Sequence, residues 1–396
     1  MSKNKIDFLD LGYQPLANSY LAKKDLKKKE RKYRLVICFN KFNKLVSIKK
    51  TFSSKDMFNN KYPYRSSMSK TMRKSFKELA YKLKKKINPN KVLEIGSNDG
   101  SFLKHFNKKK TIGIEPCANI EKLTKEKNFN TYSEYWTKKL AKKIFKKHNK
   151  VNLIYSANTI SHIKNLDEVF KAINIVLDND GIFIIEDPSL LECLKKNTYD
   201  QFYNEHIYVF SYTSLSNVLK KHNLEIFRIE NLDIHGGTNR YYIKKITSNK
   251  KIDNSVIKQK KKELSFAIDK LKTYIEFAKR VNLSKQKLIK ILKKLKSKNK
   301  KIIGYGATAK SVTILNYCKI DNKILDFFID TTPEKQNKYT PGTKIPIVKN
   351  AKLINNNIDY IFLGAWNFKK EIFAKEKKYI KLGGKFIIHT PFPRIV

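Results

Sequence analysis

The chain has 396 residues, 41% of them hydrophobic, which is enough for two domains with a core each and too apolar for a disordered polymer. Its opening, Met1-Ser2-Lys3-Asn4-Lys5-Ile6-Asp7, lacks the apolar run of a secretion signal, and no stretch reaches the ~18 uninterrupted apolar residues of a membrane span, so a soluble cytoplasmic protein without a membrane partner is expected. The formal charge is +50, yet only eight of the 85 basic residues are Arg and the lysines run evenly along the chain among many Asn and Ile, a pattern of AT-rich coding that speaks against a specific nucleic-acid partner.

In chain order, a turn-rich opening contains Leu11-Gly12-Tyr13-Gln14-Pro15-Leu16-Ala17-Asn18, and the alternating stretch from Tyr33 to Ile48 predicts a hairpin. Helical spacing of Met68, Met72, Phe76, Leu79, Ala80 and Leu83 predicts a helix over Ser66–Lys86. Strands are then expected at Val92–Ile95, Thr111–Glu115, Asn152–Ser156, Gly181–Glu186, Leu224–Glu230 and Arg240–Ile246. Helices fall between the first five and the last two form an antiparallel pair. Lys251 to Lys300 reads as a lysine-laden helical linker with an apolar stripe at Leu264, Ala267, Leu271, Ile275 and Ala278. A second wound pattern follows, with strands at Lys301–Gly304, Ile324–Ile329, Tyr360–Leu363 and Lys385–Ile388. The expected domains are a small N-terminal lobe (1–65), a cofactor-binding domain (66–250), the helical linker (251–300) and a C-terminal Rossmann-like domain (301–396). None of Cys38, Cys117, Cys193 and Cys318 lies within C-x-x-C spacing of another, so reduced, mostly buried thiols are expected.

The first wound strand runs into Glu94-x-Gly96-x-x-x-Gly100, a nucleotide-binding turn followed by a helix. Glycine there lets the backbone approach a ligand, and the helix presents unpaired N–H groups. The turn is poor in glycine, with Asn98 and Asp99 inside it, which suits S-adenosylmethionine, where no pyrophosphate has to be cradled. The second strand ends at Glu115, 19 residues beyond Gly96, where a carboxylate can accept both ribose hydroxyls, and Pro116 follows it. Asn158 stands at the expected crevice rim with His162 one turn further on.

Several blocks taken together resemble the class I C-methyltransferases that methylate C3 of nucleotide-linked 4-keto-6-deoxyhexoses in deoxysugar biosynthesis. They are Leu11–Asn18 (LGYQPLAN), Tyr62–Ser67 (YPYRSS), Glu94–Gly100 (EIGSNDG), Ile114–Pro116, Tyr199–His206 (YDQFYNEH), His235–Thr238 (HGGT), Gly304–Lys310 (GYGATAK) and Ala365–Phe368 (AWNF). The resemblance spans nearly the whole chain. It implies an α/β architecture: a class I Rossmann-like sheet, then a second Rossmann-like α/β domain, with a small N-terminal lobe. It further implies a nucleotide-sugar substrate and a base that removes the C3 proton beside the C4 ketone. By resemblance His206 is that base, Glu205 and Tyr203 orient it or the sugar, and Tyr64 faces the substrate. The turn at Gly304–Lys310 reads as G-x-G-x-x-A, and Asp330 follows a later strand; in this family that domain closes over the nucleotide-sugar rather than NAD, and Lys310 and Arg240 are candidates for its diphosphate. The alternatives are O- or N-methylation of another nucleotide-sugar, an RNA methyltransferase, and a non-catalytic binding protein that keeps the fold.

In one respect the chain departs from the family, whose members open with a zinc module of two C-x-x-C pairs. No cysteine precedes Leu11, and Asn40 and Asn43 stand where the second pair aligns. Neutral amides cannot replace thiolates as zinc ligands, so no metal site is expected, only a degenerate lobe packed by Phe39, Phe42 and Leu45.

Overall fold

The computed structural model describes residues 4–349 and 357–396. At the N-terminus β1 (Lys5–Gln14), β2 (Tyr33–Asn40) and β3 (Val46–Ile48) form antiparallel pairs, the last two making the expected hairpin. The opening is less turn-like than its composition reads. Gly12, at φ +72°, sits in a register shift between Asp10 and Tyr13, so the strand bulges and continues instead of ending.

The central sheet takes β4 (Val92–Ile95), β5 (Thr111–Ile114), β6 (Thr131–Tyr132), β7 (Val151–Ala157) and β8 (Leu177–Pro188) in parallel. The chain then turns away through β9 (Tyr208–Val209), which adds to the N-terminal sheet to give the order β1-β2-β3-β9. It returns as β10 (Leu224–Leu232) and β11 (Thr238–Lys245), an antiparallel pair beside β8. The central order is β10-β11-β8-β7-β4-β5-β6, with the strand order reversing at β4 and β7, where a crevice opens beyond their C-terminal ends. The helix Lys70–Lys86 begins on Ser69, whose side chain accepts from the Met72 N–H, and buries the expected Met72, Phe76, Leu79, Ala80 and Leu83.

The C-terminal sheet comprises β12 (Ile302–Tyr305), β13 (Phe328–Ile329), β14 (Ile347–Val348), β15 (Tyr360–Leu363), β16 (Lys385–Ile388) and β17 (Arg394–Ile395). Their order is β14-β13-β12-β15-β16-β17, parallel except for β17. The strand expected at Ile324–Ile329 is thus only its last two residues, because the turn at 321–324 occupies its start.

Residues 251–300 form the helices Asn254–Ser265 and Leu271–Lys296, and the second is more than a linker. Its Tyr274, Phe277, Val281, Leu288, Leu292 and Leu295 share one core with Leu9, Leu35, Ile37 and Phe39 of the lobe and Ile314 and Leu315 of the C-terminal domain. The expected stripe is out of phase: Leu264 and Ile275 are exposed, because the chain breaks at 266–270 and the second helix starts a new rotation. In the lobe Phe39 and Leu45 are buried as expected, whereas Phe42 lies on the surface beneath Lys221. All four cysteines are buried free thiols. Among the described residues no helix is long and apolar enough to cross a membrane.

Candidate active site

A cavity of about 710 Å³ opens at the C-terminal edge of β4, β5 and β7 and is closed on its far side by the C-terminal domain. Gly96 forms its floor at φ +74°; a Cβ there would lie 2.1 Å from Thr159 Oγ1, so only glycine lets this turn pack. Glu115 faces the same space, its two carboxylate oxygens accepting from the N–H groups of Asn98 (2.9 Å) and Cys117 (2.9 Å). Burial raises its pKa and those two N–H bonds oppose the rise. Glu94 also lines the cavity, with Oε2 buried and unpartnered; burial, then the nearby carboxylates Asp99 and Glu115, push its pKa well up. Asn98, Pro116, Asn158 and His162 complete this end. Asp99 and Gly100 do not line it. Asp99 takes the Ser67 N–H (3.0 Å) and the Ser101 hydroxyl (2.6 Å), fixing the loop from behind because its side chain points away from the crevice.

At the other end, the segment Tyr199–His206 brings Tyr203, Glu205 and His206 to the wall. His206 Nδ1 is 2.7 Å from the Gln201 carbonyl, an acceptor only, so Nδ1 carries the proton and donates it. Nε2 therefore holds the lone pair and accepts from the Tyr203 hydroxyl at 2.6 Å. Burial, then neighbouring His162 and Lys310, hold the imidazole pKa well below its usual value. His162 stacks on His206 with ring centres 5.1 Å apart, and burial lowers its own pKa to about 3. Glu205 accepts from Asn18 Nδ2 (2.6 Å) and the Tyr62 hydroxyl (3.3 Å), and burial lifts it to about 7 against those bonds. A neutral imidazole whose Nε2 lone pair meets the Tyr203 hydroxyl, a carboxyl with a pKa of about 7 and a nucleotide-type turn thus share one cavity.

Comparison with known proteins finds three family models in sequence: "Putative zinc binding domain" over residues 1–58, "Methyltransferase domain" over 64–229 and "C-methyltransferase C-terminal domain" over 233–391. The C-methyltransferase NovU of Streptomyces niveus is 29% identical over 307 residues, covering 77% of this chain and 73% of NovU. The chain is a class I S-adenosylmethionine-dependent methyltransferase, similar in sequence to C-methyltransferases. Among solved structures, an S-adenosylmethionine-dependent methyltransferase from Clostridium acetobutylicum is 14% identical, covering 43% of this chain and 91% of its own at a TM-score of 0.34. Magnesium protoporphyrin IX methyltransferase from Synechocystis is 10% identical, covering 43% and 77% at 0.32.

In this methyltransferase one residue expected at the substrate lies away from the cavity. Arg240 is 3% exposed in β11, where Nε bonds Glu186 (2.6 Å) and Nη1 bonds Glu230 (2.6 Å), so the register that pairs it with those strands consumes its charge. Lys310 does border the cavity, but its ammonium turns inward, 3.4 Å from the His235 carbonyl and over the Trp366 ring. Burial lowers its pKa to about 8. Tyr64 lines the cavity, and its carbonyl accepts from Asn98 Nδ2. Asn18 and Tyr62, the partners of Glu205, were not singled out from sequence, although both lie inside the LGYQPLAN and YPYRSS blocks.

The residues of the lobe do not fit the zinc that its family description names. Asn40 Oδ1 accepts from the N–H groups of Phe42 and Asn43, and Asn43 Oδ1 from that of Leu45, so amides hold the turn that thiolates would otherwise organise around a metal. Cys38 donates to Asp7 Oδ1, and burial pushes its thiol up to about 12, leaving it protonated rather than a ligand.

Proposed function

We propose that this methyltransferase adds a methyl group to C3 of a nucleotide-linked 4-keto-6-deoxyhexose after base-assisted enolate formation. The observation that carries the reading is His206: neutral, oriented by the Gln201 carbonyl, and set in the same cavity as the Gly96 turn and Glu115. NovU, itself a C-methyltransferase, supports carbon as the acceptor.

Glu115 would hold the ribose hydroxyls of S-adenosylmethionine, and Glu94, whose Oε2 is unpartnered, would meet its polar groups with Asn98 and Asn158. The cofactor, when bound, supplies an electrophilic methyl carbon. The His206–Tyr203 pair takes the C3 proton as the C3–H bond breaks, and the electron pair spreads over C3 and the C4 carbonyl oxygen. The proton rests on this pair while C3 remains the nucleophile. Stacked His162, held neutral, adds no positive charge against proton uptake.

With a suitable 4-ketosugar the wild type should exchange C3–H for solvent deuterium, and mass spectrometry across a panel of nucleotide-linked 4-ketosugars should show a gain of one methyl. His206→Asn should abolish exchange and transfer while still binding S-adenosylmethionine. Wild-type exchange in that variant would assign the base elsewhere. Methylation of a hydroxyl without exchange would refute carbon as the acceptor.

A further inference from the structure

The segment that carries His206 is anchored from a direction its own domain does not supply. Asp200, completely buried, precedes Gln201, the residue whose carbonyl fixes His206 Nδ1. Its Oδ2 accepts from the indole N–H of Trp366 at 2.6 Å, and His389 Nε2 stands 3.5 Å from the same oxygen, at ion-pair distance. Burial pushes this carboxyl up, but His389, Lys310 and Trp366 together hold it below its usual value. All three belong to the C-terminal domain: Lys310 to the helix after β12, Trp366 to the turn after β15 and His389 to the residue that follows β16. A carboxylate buried without partners costs several kcal/mol, so the Asp200 position is tied to the seating of that domain.

The next residue transmits the tie. Gln201 Nε2 donates to the His235 carbonyl at 2.7 Å, to which Lys310 Nζ also points. Gly236 follows at φ +90°, and a Cβ there would lie 2.3 Å from the Trp366 ring, so the indole is packed directly on this loop. The Gln201 carbonyl lies in the peptide unit shared with Phe202, whose N–H closes the turn Tyr199–Gln201 on the Tyr199 carbonyl at 3.1 Å, so Asp200 inside that turn and the carbonyl that meets His206 belong to one hydrogen-bonded loop.

We propose that Asp200 and Trp366 are a cross-domain positioning pair, through which the docked C-terminal domain holds His206 in the tautomer that leaves Nε2 able to accept a proton. The inference rests on His206 being the base of the proposed reaction, but its first test needs no sugar. In protein bound to S-adenosylmethionine, ring-nitrogen NMR of the seven histidines should show His206 as the Nδ1–H tautomer. Trp366→Phe keeps an aromatic ring against Gly236 and removes the donor; it should move His206 to a mixture of tautomers. Asp200→Ala should do the same, and Asp200→Asn, which retains an acceptor oxygen for the indole, should recover much of the wild-type spectrum relative to Asp200→Ala.

If a 4-ketosugar is turned over, Trp366→Phe should lower kcat by ~10-fold or more while leaving the KM for S-adenosylmethionine within about twofold. The pair would be refuted by a wild-type His206 spectrum in Trp366→Phe. Should that variant fail to fold, an unaltered spectrum in folded Asp200→Ala would refute it equally. An altered tautomer with no methylation of any sugar by wild type would leave the pair standing and count against the proposed substrate alone.

Discussion

At Glu205 two opposing influences meet: burial favours the neutral acid, and bonds from Asn18 and Tyr62 favour the carboxylate, leaving it at about 7. His206, by contrast, stays neutral well below its ordinary pKa, so it contributes no titration near 6.5. Below about 7 Glu205 is protonated; above it, a negative charge enters the cavity in which the imidazole must become cationic. Proton exchange at C3 should therefore rise with pH through about 7, and Glu205→Gln should flatten that rise; an inflection that persists in the Gln variant would belong to another group. The same scale shows what was legible. Gly96, Asn98, Glu115, Pro116, Asn158 and His162 meet on one cavity because they stand at strand ends and turns that are marked locally, whereas Tyr203, Glu205 and His206, on the same cavity, were reached through the family resemblance. Arg240 and Lys310 could not be placed that way. Where a long side chain ends depends on partners such as Glu230 and Trp366 that only the folded chain brings near.

Along the helix Leu271–Lys296 the competing phases of a lysine-rich sequence matter more than its composition. The side that packs runs through Tyr274, Phe277, Val281, Ser284, Leu288, Leu292 and Leu295, and it includes a serine that no hydrophobic scale would choose. Ile275, on the stripe that the sequence favours, is 45% exposed, and Leu288 is 0% exposed. Leu288→Ala should therefore destabilise the protein by about 2–5 kcal/mol. Ile275→Ala should change stability by no more than ~0.5 kcal/mol. Chemical denaturation of both variants checks the phase, and equal losses would contradict the observed packing. Strands were more legible than this helix, since β4, β5, β7, β15 and β16 are short apolar runs between turn residues, and the longer β8 contains such a run at 181–186. β13 was overextended because Ile324, Leu325 and Phe327, which precede it, are as apolar as the strand.

Over the whole molecule, a charge of +50 acts as a diffuse field rather than a surface feature, with lysines spread along the chain and few arginines to read a base or grip a phosphate. Binding to an RNA homopolymer should be sequence-independent and should weaken by orders of magnitude between ~50 and ~200 mM salt. Tight, sequence-selective binding at the higher salt would make nucleic acid a partner. The succession of lobe, cofactor domain and C-terminal domain could be read in order along the chain; how they interlock could not, because β9 is two residues long and looks like loop. Yet β9 lies only two residues past His206, and it completes a sheet whose other strands all precede residue 49. Exchange of the first 65 residues between two such enzymes would set three foreign strands against a resident fourth. Chimaeras that work should be those that carry residues 207–210 with the lobe, so recombination passes on the lobe and the turn that holds His206 as a linked pair.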